Sequence, residues 1–222
     1  MNRFKLFLLL AVCSMNAVSQ TRVIAHRGFW KTDGSAQNSI AALIKADSIG
    51  CYGSEFDVWL TSDNKLVVNH DSRYDGNNME KNEAEVITRS RLPNGENLPT
   101  LEAYLKKAGS LGTQLILELK SLSSVKRETM AVQQIVDMVK EYGLETRMEY
   151  ISFSFHAVKE FIRLSPPGTP VYYLNGDLSP EQLKQAGCSG PDYNLSVYRK
   201  HPEWITDSHR LGMKVNVWTV NK

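Results

Sequence analysis

The sequence predicts an α/β fold, a (β/α)8 barrel of the TIM type, on two observations. Short apolar runs and amphipathic stretches alternate about every 25–30 residues, which is the signature of βα units on a parallel sheet. The chemically suggestive polar residues stand at the C-terminal ends of the apolar runs, the end at which such barrels build their sites. At 222 residues, 42% hydrophobic and 23% charged, the chain suits one globular domain with a sizeable core.

The first residues stand apart from that domain. Arg3 and Lys5 make a basic start, residues 6–12 are an apolar run too short to span a bilayer, and Ala17-Val18-Ser19 is a small-x-small cleavage site before Gln20. The expectation is an export signal over residues 1–19, a barrel domain over 20–222, and a periplasmic or secreted protein. Lipidation at Cys13 ranks second, because Val12 stands where a lipoprotein signal prefers a small residue. Cleavage removes Arg3, Lys5 and no acid, so the formal charge falls from +2 to zero, with no footprint for nucleic acid or a membrane surface. Cys51 and Cys188 then remain, expected as free, buried thiols.

In chain order, residues 23–25 read as a short strand ending in His26-Arg27-Gly28, where the glycine permits a sharp turn. A polar loop over 31–37 leads to Asn38 or Ser39 as the N-cap of a helix that closes at Gly50. The second strand, 55–61, is followed by a turn at Ser62-Asp63-Asn64 and an apolar run over 66–68 that delivers His70 and Asp71. Residues 72–98 read as a polar excursion over the strand ends, and Thr100 caps a helix over 101–108. The third strand is 114–120. An amphipathic helix follows over 128–142, and the charges of 126–147 read as solvated surface. Strand four (150–155), a helix (157–164), strand five (171–174), a helix (180–186), a weak strand six (193–197), a helix (202–211) and strand seven (214–220) complete the pattern. Seven strands are counted, so the expectation is an eight-stranded barrel lacking its last helix and strand in this chain, the alternative being a barrel left open between strands seven and one.

Strand side chains alternate, so Glu55 and Asp57 share one face, and Glu118 and Lys120 share another. A buried pair of carboxylates requires a shared proton or a cation.

The ordered set His-Arg-Gly at 26–28, Glu-Phe-Asp at 55–57, His-Asp at 70–71, Glu-Leu-Lys at 118–120 and V-N-V-W-T-V-N at 215–221 resembles the glycerophosphodiester phosphodiesterase family. The resemblance covers residues 23–221. One departure is Ala36-Gln37-Asn38-Ser39, where the family pattern is Pro-Glu-Asn-Thr. The resemblance implies hydrolysis of a glycerophosphodiester to glycerol 3-phosphate and an alcohol. The residue chemistry agrees with it. Glu55, Asp57 and Glu118 are hard oxygen donors of the kind Ca²⁺ or Mg²⁺ prefers. His26 and His70 suit an acid and base pair, in either order. Arg27 offers a planar fork to phosphate, Lys120 a second positive charge or a structural ion pair, and Trp218 a substrate platform or a core side chain. His156, His201 and His209 receive no role. Two rivals stand beside this reading: a related barrel phosphodiesterase acting on phospholipid or phosphoinositide, and a non-catalytic phosphate-binding protein. Oligomeric state stays open.

Overall fold

The computed structural model describes residues 21–220. The export signal expected over residues 1–19, Cys13 included, and the final Asn of the last motif lie outside them. No helix among the described residues is long and apolar enough to cross a membrane.

The elements run β1 (Ile24–Ala25), α1 (Ile40–Ser48), β2 (Gly53–Leu60), β3 (Leu66–Val68), the hairpin β4 (Arg73–Tyr74) and β5 (Asn77–Asn78), α2 (Ala84–Thr88), α3 (Leu101–Ala108), β6 (Gln114–Leu119), α4 (Val125–Glu141), β7 (Met148–Ser152), α5 (Phe155–Leu164), β8 (Val171–Tyr173), α6 (Pro180–Gln185), β9 (Gly190–Asn194), α7 (Leu195–Lys200), α8 (Glu203–Arg210) and β10 (Asn216–Trp218). One sheet has the order β1-β2-β6-β7-β8-β9-β10, each strand parallel to the next, and β3 pairs antiparallel with β2 off that path. This is the expected barrel topology, without a pairing between β10 and β1 among the described residues.

Two faces follow from the alternation of each strand. Phe56, Val58 and Leu60 of β2 and Leu115, Leu117 and Leu119 of β6 pack against the helices, joined by Leu43, Tyr104, Ile135 and Phe161 in the main core. Aromatic pairs tie the layers, Phe56 on Tyr104 at 4.4 Å and Tyr150 stacked on Phe161 at 4.2 Å between ring centres. Ile116, Ile151, Tyr172 and Leu174 form a smaller cluster on the opposite, inner face. The register sets Asp57 beside Glu118 across β2 and β6, which brings carboxylates from two strands together.

Five expectations are corrected. The excursion over 72–98 is more than polar chain: Met79, Ile87 and Leu98 are buried with Trp59 and Val67 in a core of their own. Its apolar residues are few and scattered, so composition hid a core that exists only against β2 and β3. The sixth strand lies at Gly190–Asn194, because the Asn194 side chain accepts from the Ser196 amide and starts α7 where more strand was expected. Gly190 also admits its neighbour: a Cβ there would lie 1.8 Å from the Lys214 carbonyl oxygen. The charges of 126–147 are partly structural. Arg127 donates to the Leu60 and Thr61 carbonyls at 2.8 and 2.9 Å and pairs with Glu80, while buried Glu128 accepts from the Leu122 amide and the Ser154 hydroxyl. Strand seven pairs only over Asn216–Trp218. Both cysteines are free, but Cys51 is only half-buried.

Candidate active site

The C-terminal end of β1 begins the site. After Ala25 the chain turns back on itself: the Gly28 amide donates to the Ala25 carbonyl at 3.0 Å, with Arg27 and Gly28 at φ of 60° and 75°. A Cβ at Gly28 would stand 2.6 Å from that of Ala42, so the loop lies against α1 as only glycine allows. The turn aims the Arg27 amide at Glu55, donating to Oε2 at 2.6 Å, and leaves His26 Nε2 4.0 Å from the same oxygen.

Glu55, Asp57 and Glu118 are all buried, and one oxygen of each lies within 4.8 Å of the others. Asp57 is held on two sides. Asn38 Nδ2 donates to Oδ2 at 2.9 Å while the Asp57 amide donates back to Asn38 Oδ1 at 3.1 Å, and Lys120 Nζ reaches Oδ1 at 3.2 Å. Lys120 also stands 2.7 Å from Glu118 Oε1, an ion pair without the alignment of a hydrogen bond. Glu55 Oε1, Glu118 Oε1 and Arg27 Nε are buried without a hydrogen-bond partner.

Titration follows from this crowding. Burial, then the charges of Asp57 and Glu118, raise the Glu55 carboxyl well above its ordinary range. Burial and the Asp57 charge push Glu118 up to about 7. Burial also raises Asp57, but the Lys120 charge and the Asn38 hydrogen bond prevail and hold it below its usual value. Lys120 is raised, since the two carboxylates outweigh its burial. Burial, with Arg27 beside it, lowers His26 to about 4. One lysine cannot neutralise three carboxylates, and Glu55 Oε1 is left buried without a partner. That donor set fits a hard divalent cation.

His70 arrives by a different route. The β3 strand returns antiparallel along β2, and the Asn69 amide donates to the Asp57 carbonyl at 3.0 Å. The Trp59 indole donates to the His70 carbonyl at 3.3 Å, and His70 Nδ1 lies 2.7 Å from Asp71 Oδ1. The ring is thereby oriented by its neighbour and half-buried.

The sequence candidates His26, Arg27, Glu55, Asp57, Glu118 and Lys120 thus form one connected group, and His70 is tied to it through Asn69. Trp218 joins less closely: its indole donates to the Asp192 carbonyl at 3.0 Å and meets Phe153 edge-on at 5.6 Å, contacts of packing rather than of the carboxylates. Sequence reasoning missed the clamp made by Asn38, which was weighed only as a helix cap. Ser39 takes that position, accepting from the Ala42 amide, and the positive φ of Asn38 at 59° turns its amide toward Asp57. It also missed Asp192, which burial and the charges of Glu118 and Glu149 push up to about 7. Its sequence signal was hidden in the strand that was placed too late.

Comparison with known proteins bears on this geometry. The sequence matches the model of the Glycerophosphoryl diester phosphodiesterase family over residues 26–222. A glycerophosphodiester phosphodiesterase of Caldanaerobacter subterraneus is 27% identical in an alignment that covers 91% of this chain and 87% of that protein. A crystal structure of a glycerophosphodiester phosphodiesterase from Parabacteroides distasonis superposes with a TM-score of 0.89 at 51% identity, covering 90% of this chain and 84% of the other. An Oleispira antarctica phosphodiesterase in complex with its product sn-glycerol-3-phosphate shares the fold, with a TM-score of 0.76 at 24% identity over 91% of this chain and 85% of that one.

Proposed function

The chain belongs to the glycerophosphoryl diester phosphodiesterase family and is an enzyme of that kind, and we propose that it hydrolyses glycerophosphodiesters to glycerol 3-phosphate and an alcohol with a divalent ion and two histidines. The observation that supports this most directly is the trio Glu55, Asp57 and Glu118, crowded within 4.8 Å beside His26 and short of positive charge. These three would hold the ion, Ca²⁺ or Mg²⁺, and when bound it supplies neutralisation of the charge that builds on the non-bridging phosphate oxygens.

The remaining roles belong to the chain's own groups. His26, lowered to about 4, is neutral at physiological pH and accepts the proton of the attacking hydroxyl. His70, its Nδ1 engaged by Asp71, presents Nε2 to the leaving alkoxide and donates the proton that completes the alcohol. Arg27 has a buried Nε–H without a partner, a donor free for a phosphate oxygen, while Gln37 accepts from its Nη1 at 2.5 Å and fixes the fork. Lys120, paired with Asp57 and Glu118, offsets part of their charge toward the incoming phosphate. Trp218 remains a candidate wall for the substrate. Residues 1–19 would direct the enzyme across a membrane, and the mature chain would begin at Gln20.

The test is turnover of glycerophosphocholine and glycerophosphoethanolamine with added Ca²⁺ or Mg²⁺ and then with chelator. Release of glycerol 3-phosphate that appears with metal and stops with chelator is the expected result. A folded, metal-loaded protein that cleaves neither would remove the hydrolytic reading.

A further inference from the structure

Beyond His70 the site opens into a cavity of about 330 Å³, lined on one side by the loop after β1 and on the other by the excursion over 72–98. Gln37, Asn38 and His70 line it, and because Asn38 bonds Asp57 and Gln37 bonds Arg27 the cavity adjoins the acidic site. Its outer wall is made by Trp30, Tyr74, Leu92 and Pro93, with Asp71 at the same end. Neither lysine nor arginine lines it. We propose that this cavity is the subsite for the leaving alcohol and that it selects a cationic headgroup, a quaternary or primary ammonium, over a neutral polyol. The proposal rests on the hydrolytic reading above for the placement of phosphate.

Three observations carry it. Charge is divided along the site: Arg27 and Lys120 stand on the phosphate side, while Asp71, whose side chain is exposed, is the one acidic residue lining the cavity. A zwitterionic diester matches that division end to end. The outer wall is aromatic, and indole and phenol faces attract ammonium groups through the ring quadrupole. Trp30 already attracts one: the Lys31 ammonium lies 5.3 Å from its ring centre, on an exposed residue able to yield to a ligand. Finally, the wall is held in place. Tyr74 donates through its hydroxyl to the Arg91 carbonyl at 3.0 Å, and Leu92 is buried in the excursion's own core. The Tyr74 side of the aromatic wall is therefore a fixed part of the excursion.

The experiment compares glycerophosphocholine with glycerophosphoglycerol on the Ca²⁺-loaded protein. Dissociation constants are read by calorimetry in the His26→Ala background, where turnover should be slowed by roughly 10²–10⁴, and kcat/KM is read with His26 intact. The choline diester should be preferred roughly five- to tenfold, and Trp30→Leu or Tyr74→Leu should each bring the ratio of the two diesters toward unity. A parent ratio within twofold of unity, or a ratio that neither substitution moves, overturns the subsite. Binding preference that persists without turnover of either diester leaves the subsite standing and overturns hydrolysis. Turnover without preference does the reverse.

Discussion

Replacing Glu118 by Gln should stabilise the metal-free protein at alkaline pH and abolish its response to metal. A carboxyl whose folded pKa exceeds its unfolded value binds its proton more tightly in the folded state, so its contribution to stability is present at low pH and is lost as pH rises from about 4.5 through 7. Ionising Glu118 in the metal-free fold, against burial and the Asp57 charge, costs about 3 kcal/mol at 1.36 kcal/mol per pH unit. The amide has no such cost. In chelator at pH 8 the Glu118→Gln protein should therefore melt roughly 5–10 °C above the parent, with the difference vanishing near pH 5. Added Ca²⁺ reverses the order, since a ligand at a hundred times its dissociation constant stabilises by about 2.7 kcal/mol and the variant has lost a donor. Thermal melts of both proteins across pH 5–8, with chelator and with metal, measure all four corners. A variant less stable than the parent in chelator at pH 8 would show that the Lys120 ion pair outweighs the crowding. A parent unmoved by metal would remove the cation site.

Further outcomes follow from the same contacts. With saturating metal, the acidic limb of kcat/KM should lie near pH 4–5 and not near 6.5, because His26 is held neutral, and His26→Ala or His70→Ala should lower kcat by roughly 10²–10⁴. A limb near 6.5 that survives His26→Ala would place the base elsewhere. Asn38→Ala removes both hydrogen bonds between Asn38 and Asp57 and leaves the carboxylate to Lys120, so metal affinity measured by calorimetry should fall roughly 10–100-fold, and an unchanged affinity would reduce Asn38 to a turn residue. Arg127→Met deletes the bonds to the Leu60 and Thr61 carbonyls and leaves Glu80 with Ser123 alone, which should cost about 2–4 kcal/mol in denaturant melts and speed proteolysis within 72–98.

What could be read from the sequence was what period and residue type encode. The alternation of Glu55-Phe56-Asp57 placed both carboxylates on the inner face, and the register of β2 and β6 then supplied Glu118. Thr100 and Ser39 announced helix starts by chemistry that acts within three residues. What stayed hidden depends on contacts distant in sequence. Asn38 looked like a cap until Asp57 stood beside it. Arg127 looked like a solvated charge until Leu60 and Thr61 presented their carbonyls, 67 and 66 residues away. Asn194 misled in the opposite sense, since its side chain ended a strand that an apolar pattern would have carried further.

Position 37 shows why these distant contacts matter to function. With a divalent ion bound and all three carboxylates ionised to hold it, the ion, Arg27 and Lys120 leave the site one positive charge, the complement of a phosphodiester monoanion. A glutamate in place of Gln37, as in the family pattern, would reduce that balance to zero and pair directly with Arg27. Gln37 instead accepts one guanidinium hydrogen bond without cancelling the charge, so Arg27 keeps its orientation and its full attraction for phosphate. The same residue lines the outer cavity, where a carboxylate would have added a second anionic partner for an ammonium headgroup. Gln37→Glu should therefore trade attraction for phosphate against attraction for the headgroup: KM for a neutral diester should rise while KM for the choline diester moves less. An equal rise for both would confine the effect of position 37 to Arg27.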